Sequence, residues 1–107
     1  MKTTLHLAQV NEIMDIMLRF ISKHTTLPIL ENIYIKTSLD SILFRATDME
    51  KYVEISLPVE TDEESVITIN AKTFSDILKT IDDEYFFLEI TSAREEVKIS
   101  SMVDSFT

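Results

Sequence analysis

A chain of 107 residues is about one domain, which buries roughly two thirds of the surface its unfolded form exposes, so one core is possible and two are not. Hydrophobic residues at 45% and charged residues at 27% argue against general disorder, and no apolar run nears the roughly 18 residues that span a bilayer. The absence of cysteine excludes a disulfide framework or thiolate metal site, and a net charge of −9 argues against a broadly basic, nucleic-acid-coating body.

The N-terminal segment lacks the unbroken apolar core of a signal peptide, and with no cysteine present a cytoplasmic location is expected. A short strand over about Thr3 to Leu7 precedes an amphipathic helix. Its apolar residues Val10, Ile13, Met14, Met17 and Ile21 recur at the spacing of one helical stripe. Glu12, Asp15, Arg19 and Ser22 fall on the opposite face. Lys23 and His24 close the helix where positive charge suits the dipole, and no good N-cap residue marks its start.

Pro28 lacks an N–H and pushes Leu27 out of the helical region, so the helix must stop before Leu27 and the chain turns quickly into a strand. Three alternating strands follow, with Ile33 and Ile35, then Ile42 and Phe44, then Val53, Ile55, Leu57 and Val59 expected on the buried side. Ser38-Leu39-Asp40 reads as a tight connection, and Pro58 belongs at a strand end or on an edge. After the acidic run Glu60-Thr61-Asp62-Glu63-Glu64, the segment Val66 to Ile69 reads as a strand. Asn70 caps a second helix that presents Ala71, Phe74, Ile77, Leu78 and Ile81 on one side. Strands return at Tyr85 to Ile90 and Val97 to Ser100, and another begins near Ser105 and Phe106. The order strand, helix, three strands therefore occurs twice. It predicts an α+β fold with two helices on one face of antiparallel sheets.

Little in the sequence suggests catalysis. Adjacent acids such as Asp48 and Glu50, or Asp62, Glu63 and Glu64, could bind a metal or exchange protons, yet carboxylates in loops are more often a solvated surface. His6 and His24 have no Ser or Cys motif beside them, and a phosphate-cradling loop needs glycine, of which there is none. No catalytic residue, metal site or cofactor is expected.

Three stretches in this order carry a resemblance: Thr26-Leu27-Pro28-Ile29-Leu30, then Thr47-Asp48-Met49-Glu50, then Ile69-Asn70-Ala71-Lys72-Thr73-Phe74-Ser75-Asp76-Ile77-Leu78-Lys79. Together they resemble the N-terminal domain of the bacterial replicative sliding clamp, the beta subunit of DNA polymerase III, over residues 1–107. The resemblance implies a DNA-clamp domain, built from a duplicated unit with both helices on the inner wall of a ring. It implies a noncatalytic processivity factor that encircles duplex DNA without sequence preference and tethers DNA polymerase III.

By the same resemblance, Thr73, Ile77 and Ile81 on the second helix and Phe106 on the final strand form this domain's part of a head-to-tail contact with a second clamp protomer. Periodicity alone would assign Ile77 and Ile81 to the core. The basic residues Arg19, Lys23, His24, Lys72 and Lys79 are the candidates for duplex phosphate, although neutral His24 stands where the family commonly has a stronger base. The family's pocket for the polymerase and the clamp loader lies between its later two domains, outside this segment. The chain is therefore expected to be an isolated or truncated first domain whose last strand is incomplete. Two rivals compete with this reading: a standalone acidic protein-interaction module without a DNA role, and a metal-dependent hydrolase. If Arg19, Lys23, Lys72 and Lys79 share a face with both helices, the clamp reading gains, whereas their scatter over the surface would favour the first rival. The second would require carboxylates clustered in a pocket.

Overall fold

The computed structural model describes residues 2–21, 32–47, 52–91 and 96–101. In chain order the elements are β1 (Lys2–His6), α1 (Leu7–Phe20), β2 (Asn32–Thr37), β3 (Ser41–Thr47), β4 (Tyr52–Pro58), β5 (Ser65–Asn70), α2 (Ala71–Leu78), β6 (Tyr85–Thr91) and β7 (Glu96–Ser101). They form two antiparallel sheets, one ordered β1-β6-β7 and the other β4-β3-β2-β5. Each strand-helix junction places its strand beside a strand from elsewhere in the chain, β1 against β6 and β5 against β2, so the two halves interlock.

The alternation of the strands sets which side faces inward. Ile33 and Ile35 of β2, Ile42 and Phe44 of β3, and Phe86, Leu88 and Ile90 of β6 are fully buried, while Lys36 and Arg45 point to water. The inward residues of β4 are only half-buried because β4 is an edge strand with one neighbour, and Pro58, its last residue, sits where no ladder donor is required. On the outer face the cross-strand register aligns Tyr34, Arg45 and Glu54, and Arg45 Nη2 donates to Glu54 Oε2 at 2.9 Å. The Ser38-Leu39-Asp40 connection closes with a bond from Ser38 N to Ser41 O.

Both helices pack against one another and complete a single core. Val10, Met14 and Met17 of α1 and Phe74 and Leu78 of α2 are buried together with the inward residues of both sheets. The α1 stripe is buried as its spacing predicts, with Glu12, Asp15 and Arg19 exposed. His6 precedes α1 and makes no side-chain cap. Instead Leu7 N donates to Glu84 O at 2.9 Å, so the backbone of the connection just before β6 satisfies one of the helix's free N–H groups. Leu7 therefore opens the helix and does not end the strand.

The acidic loop between β4 and β5 keeps its four acids exposed, as expected of a solvated run, but its backbone is tied down. Thr3 Oγ1 donates to Glu60 O at 2.8 Å, Thr37 Oγ1 to Glu63 O at 3.2 Å and Thr61 Oγ1 to Ser38 O, which tie the loop to both sheets. Lys2 N donates to Asp62 Oδ1 at 3.1 Å, and that bond is the main reason the Asp62 carboxyl titrates below its usual range.

Asn70 caps α2 as its position predicts, its Oδ1 accepting from Thr73 N at 2.9 Å. α2 ends earlier than the apolar spacing suggests. Lys79 is its C-cap, and bonds from Thr80 N to Ile77 O and from Ile81 N to Leu78 O tighten the chain into a turn, so Ile81 lies beyond the helix. Because α2 has only eight residues, its cap is a large share of its local stability. Asn70→Ala should cost about 1 kcal/mol in chemical denaturation, and Asn70→Asp should cost little.

Candidate nucleic-acid and protomer interface

The solvent side of the helix layer carries two stripes. On α1, Glu12, Asp15 and Arg19 lie at i, i+3 and i+7, and all three are exposed. On α2 and its cap, Lys72, Asp76 and Lys79 lie at i, i+4 and i+7, again all exposed. Arg19 Nε donates to Asp15 O at 3.2 Å, which steers the guanidinium along the end of α1. Among the described residues none of these six charges is ion-paired. Among the described residues His6 pairs with Glu84 at the start of α1, and Arg45 pairs with Glu54 on the outer face of the four-stranded sheet.

Charge is partitioned between layers. The helix side bears three bases and three acids, whereas the described strands and loops bear four bases against eleven acids. The negative charge of the described body therefore sits almost wholly on its sheets and loops. Arg19, Lys72 and Lys79 come together on one layer. Lys23 and His24 lie outside the described residues, as do the Pro28 hinge, the Asp48-Met49-Glu50 stretch and Phe106.

Lys72 is placed against local stability. It stands in the first turn of α2, where the helix dipole favours an anion and where no acid is present. Lys72→Glu should therefore raise thermal stability slightly, by roughly 0.3–1 kcal/mol, and a melting curve would show it.

The apolar residues of α2 divide by direction. Leu78 and Phe74 are fully buried, as are Ala71 and Ser75, whereas Ile77 is 38% exposed and Thr73 is exposed. Ile81, on the closing turn, is half-buried and packs on the core. Sequence spacing alone groups Ile77 with the core face and misses Ser75, because eight residues give the pattern too few repeats to fix the stripe's direction. Among the described residues, no group of three or more histidine or acidic side chains is placed to hold a metal ion, and no helix is long and apolar enough to cross a membrane.

Comparisons with known proteins agree with this architecture. A family model described as DNA polymerase III beta subunit, N-terminal domain, matches residues 1–107. The chain is similar to the beta sliding clamp of Bacillus subtilis, 30% identical over 76% of this chain and 24% of that protein. It is also similar to that of Staphylococcus epidermidis, 29% identical over 87% of this chain and 29% of that protein. The crystal structure of the Bacillus subtilis DNA polymerase sliding clamp superposes with a TM-score of 0.83 at 27% identity, over 94% of this chain and 28% of that one. The chain thus spans 24% to 29% of the length of these relatives.

The division of α2 is open to a direct test. Leu78→Ala should cost about 2–5 kcal/mol, as for a buried leucine. Ile77→Ser should cost only roughly 1 kcal/mol, since Ile77 is 38% exposed where Leu78 is fully buried, and Ile81→Ser should fall between. Urea unfolding of the three variants measures the order; equal losses for Ile77→Ser and Leu78→Ala would return Ile77 to the core.

Proposed function

Because the chain belongs to the family of the DNA polymerase III beta subunit N-terminal domain, a noncatalytic sliding-clamp family of DNA replication, we propose that it acts as the first domain of a ring around duplex DNA. In this reading the helix layer faces the duplex and the acidic sheets face outward. The supporting observation is the charge partition: the bases of the described helices share one balanced layer while the rest of the body repels phosphate. A wall of this kind attracts DNA weakly and without regard to sequence, since it offers cations to phosphates and no array of groups for base edges. Weak, unspecific attraction is what a sliding contact requires.

The same reading assigns Thr73, Ile77, Ile81 and Phe106 to a head-to-tail contact with a second clamp protomer. The exposure of Ile77 and Thr73 supports it. Such a contact is heterologous, so one domain carries one half of it and finds the other half on a different domain. DNA polymerase III and the clamp loader would be engaged through further domains of a complete clamp, in the cytoplasm. The competing reading, an acidic protein-interaction module, draws support from the negative sheets, but the grouping of Arg19, Lys72 and Lys79 favours the clamp.

Two measurements test this. In a mobility-shift titration, the 107-residue chain should bind duplex DNA weakly and lose that binding steeply with added salt. Tight, salt-insensitive or sequence-selective binding would contradict the reading. By sedimentation the same chain should be monomeric in dilute solution, because its half of the ring contact meets no complement.

A further inference from the structure

Each base on the described helix layer stands one turn from a carboxylate of its own helix. Asp15 precedes Arg19 by four residues, and Asp76 follows Lys72 by four and precedes Lys79 by three. At those spacings the Cβ atoms lie about 5–6 Å apart, close enough for an ion pair. No such pair forms: the Arg19 side chain bonds to the Asp15 carbonyl, and Lys72, Lys79 and Asp76 remain exposed and unpaired among the described residues. The carboxylates therefore do not serve as helix staples. Nor do they serve the dipole, since neither lies in the first turn of its helix.

What they do is set the charge of the layer. With Glu12 they bring three bases to zero net charge on the surface that faces the duplex in the reading above, on which this inference rests. Glu12 lies two turns from Arg19 and bears on it less. We propose that Asp15 and Asp76 are affinity-setting residues, which weaken the attraction between the helix layer and duplex phosphate so that the contact stays mobile. A phosphate approaching Lys72 or Lys79 meets Asp76 at nearly the same distance. One approaching Arg19 meets Asp15 in the same way. The attraction each base offers is thereby largely offset at long range, while a direct base-to-phosphate contact remains possible at short range.

Affinity and its salt dependence separate the two roles. The number of phosphates neutralised sets the slope of log affinity against log salt, and that number depends on the bases alone. Asp15→Asn with Asp76→Asn should raise duplex affinity at low salt by about threefold per carboxylate, the size of one Coulomb interaction across roughly 7 Å of water. The slope should not change. Arg19→Gln, Lys72→Gln and Lys79→Gln together should weaken binding and flatten the slope by up to roughly 0.9 for each base lost from a phosphate contact.

The titration uses the 107-residue chain and its variants with a fluorescent blunt-ended duplex at several salt concentrations, and circular dichroism melts confirm that each variant is folded. If the base variant weakens binding but the asparagine variant leaves it unchanged, the affinity-setting role is wrong and the duplex-facing reading survives. If the base variant binds as the parent does, or if neither the parent nor the asparagine variant binds at low salt, the helix layer does not face DNA and both fall. A changed slope in the asparagine variant would also overturn the proposal, because it would mean that the carboxylates hold bases away from phosphates directly.

Discussion

One apolar layer has to serve the whole chain. With 107 residues there is not enough surface for each half to enclose a core of its own, and a helix of eight residues with a short sheet would be marginal alone. The two halves resolve this by sharing. Met14 and Met17 from the first half meet Phe74 and Leu78 from the second, and the sheets close over them with Phe44, Ile35, Phe86 and Leu88. Each helix must turn its apolar stripe to the same layer, so the two lie side by side and their polar stripes emerge on one surface. The positions of Glu12, Asp15 and Arg19 on α1 and of Lys72, Asp76 and Lys79 on α2 and its cap follow from that burial.

The exchange of strands makes the sharing hard to undo. β1 leaves its own half to pair with β6, and β5 pairs back onto β2, so neither half can part from the other without losing a ladder of backbone hydrogen bonds. The threonine bonds to the 60–64 loop reinforce the same seam. Thr3 reaches the loop from one sheet and Thr37 from the other, joining two sheets that no strand pairing connects. A stretch of four acids that reads as plain surface is thus held at the boundary between sheets, and its own charges remain in water.

The burial that fixes the fold leaves its outer charge free to serve function. Side chains on the solvent side of the helices contribute little to stability, and Lys72 stands where the helix dipole disfavours it. Stability alone accounts for Leu78 and Phe74. It does not account for a lysine at a helix start, three bases gathered on one layer or an isoleucine 38% exposed beside a fully buried leucine. Those departures are where a role outside the fold is to be sought, and they are the residues for which the DNA-facing and protomer-contact roles are proposed.

The sequence by itself determined the elements and their order. Val10 to Met17 could form only one stripe, the strands could bury only one face, and Asn70 could accept from only the start of the helix that follows it. Those choices are local, made within a few residues by periodicity and hydrogen-bond geometry, and the resemblance that three short stretches carry was legible for the same reason. Tertiary structure alone decided the rest. It set the pairing of β1 with β6, the end of α2 at Leu78 and the outward turn of Ile77, and it gathered Arg19, Lys72 and Lys79 on one layer. Each of these depends on which distant surface a segment packs against, and a one-dimensional pattern records that a face is apolar without recording what will cover it.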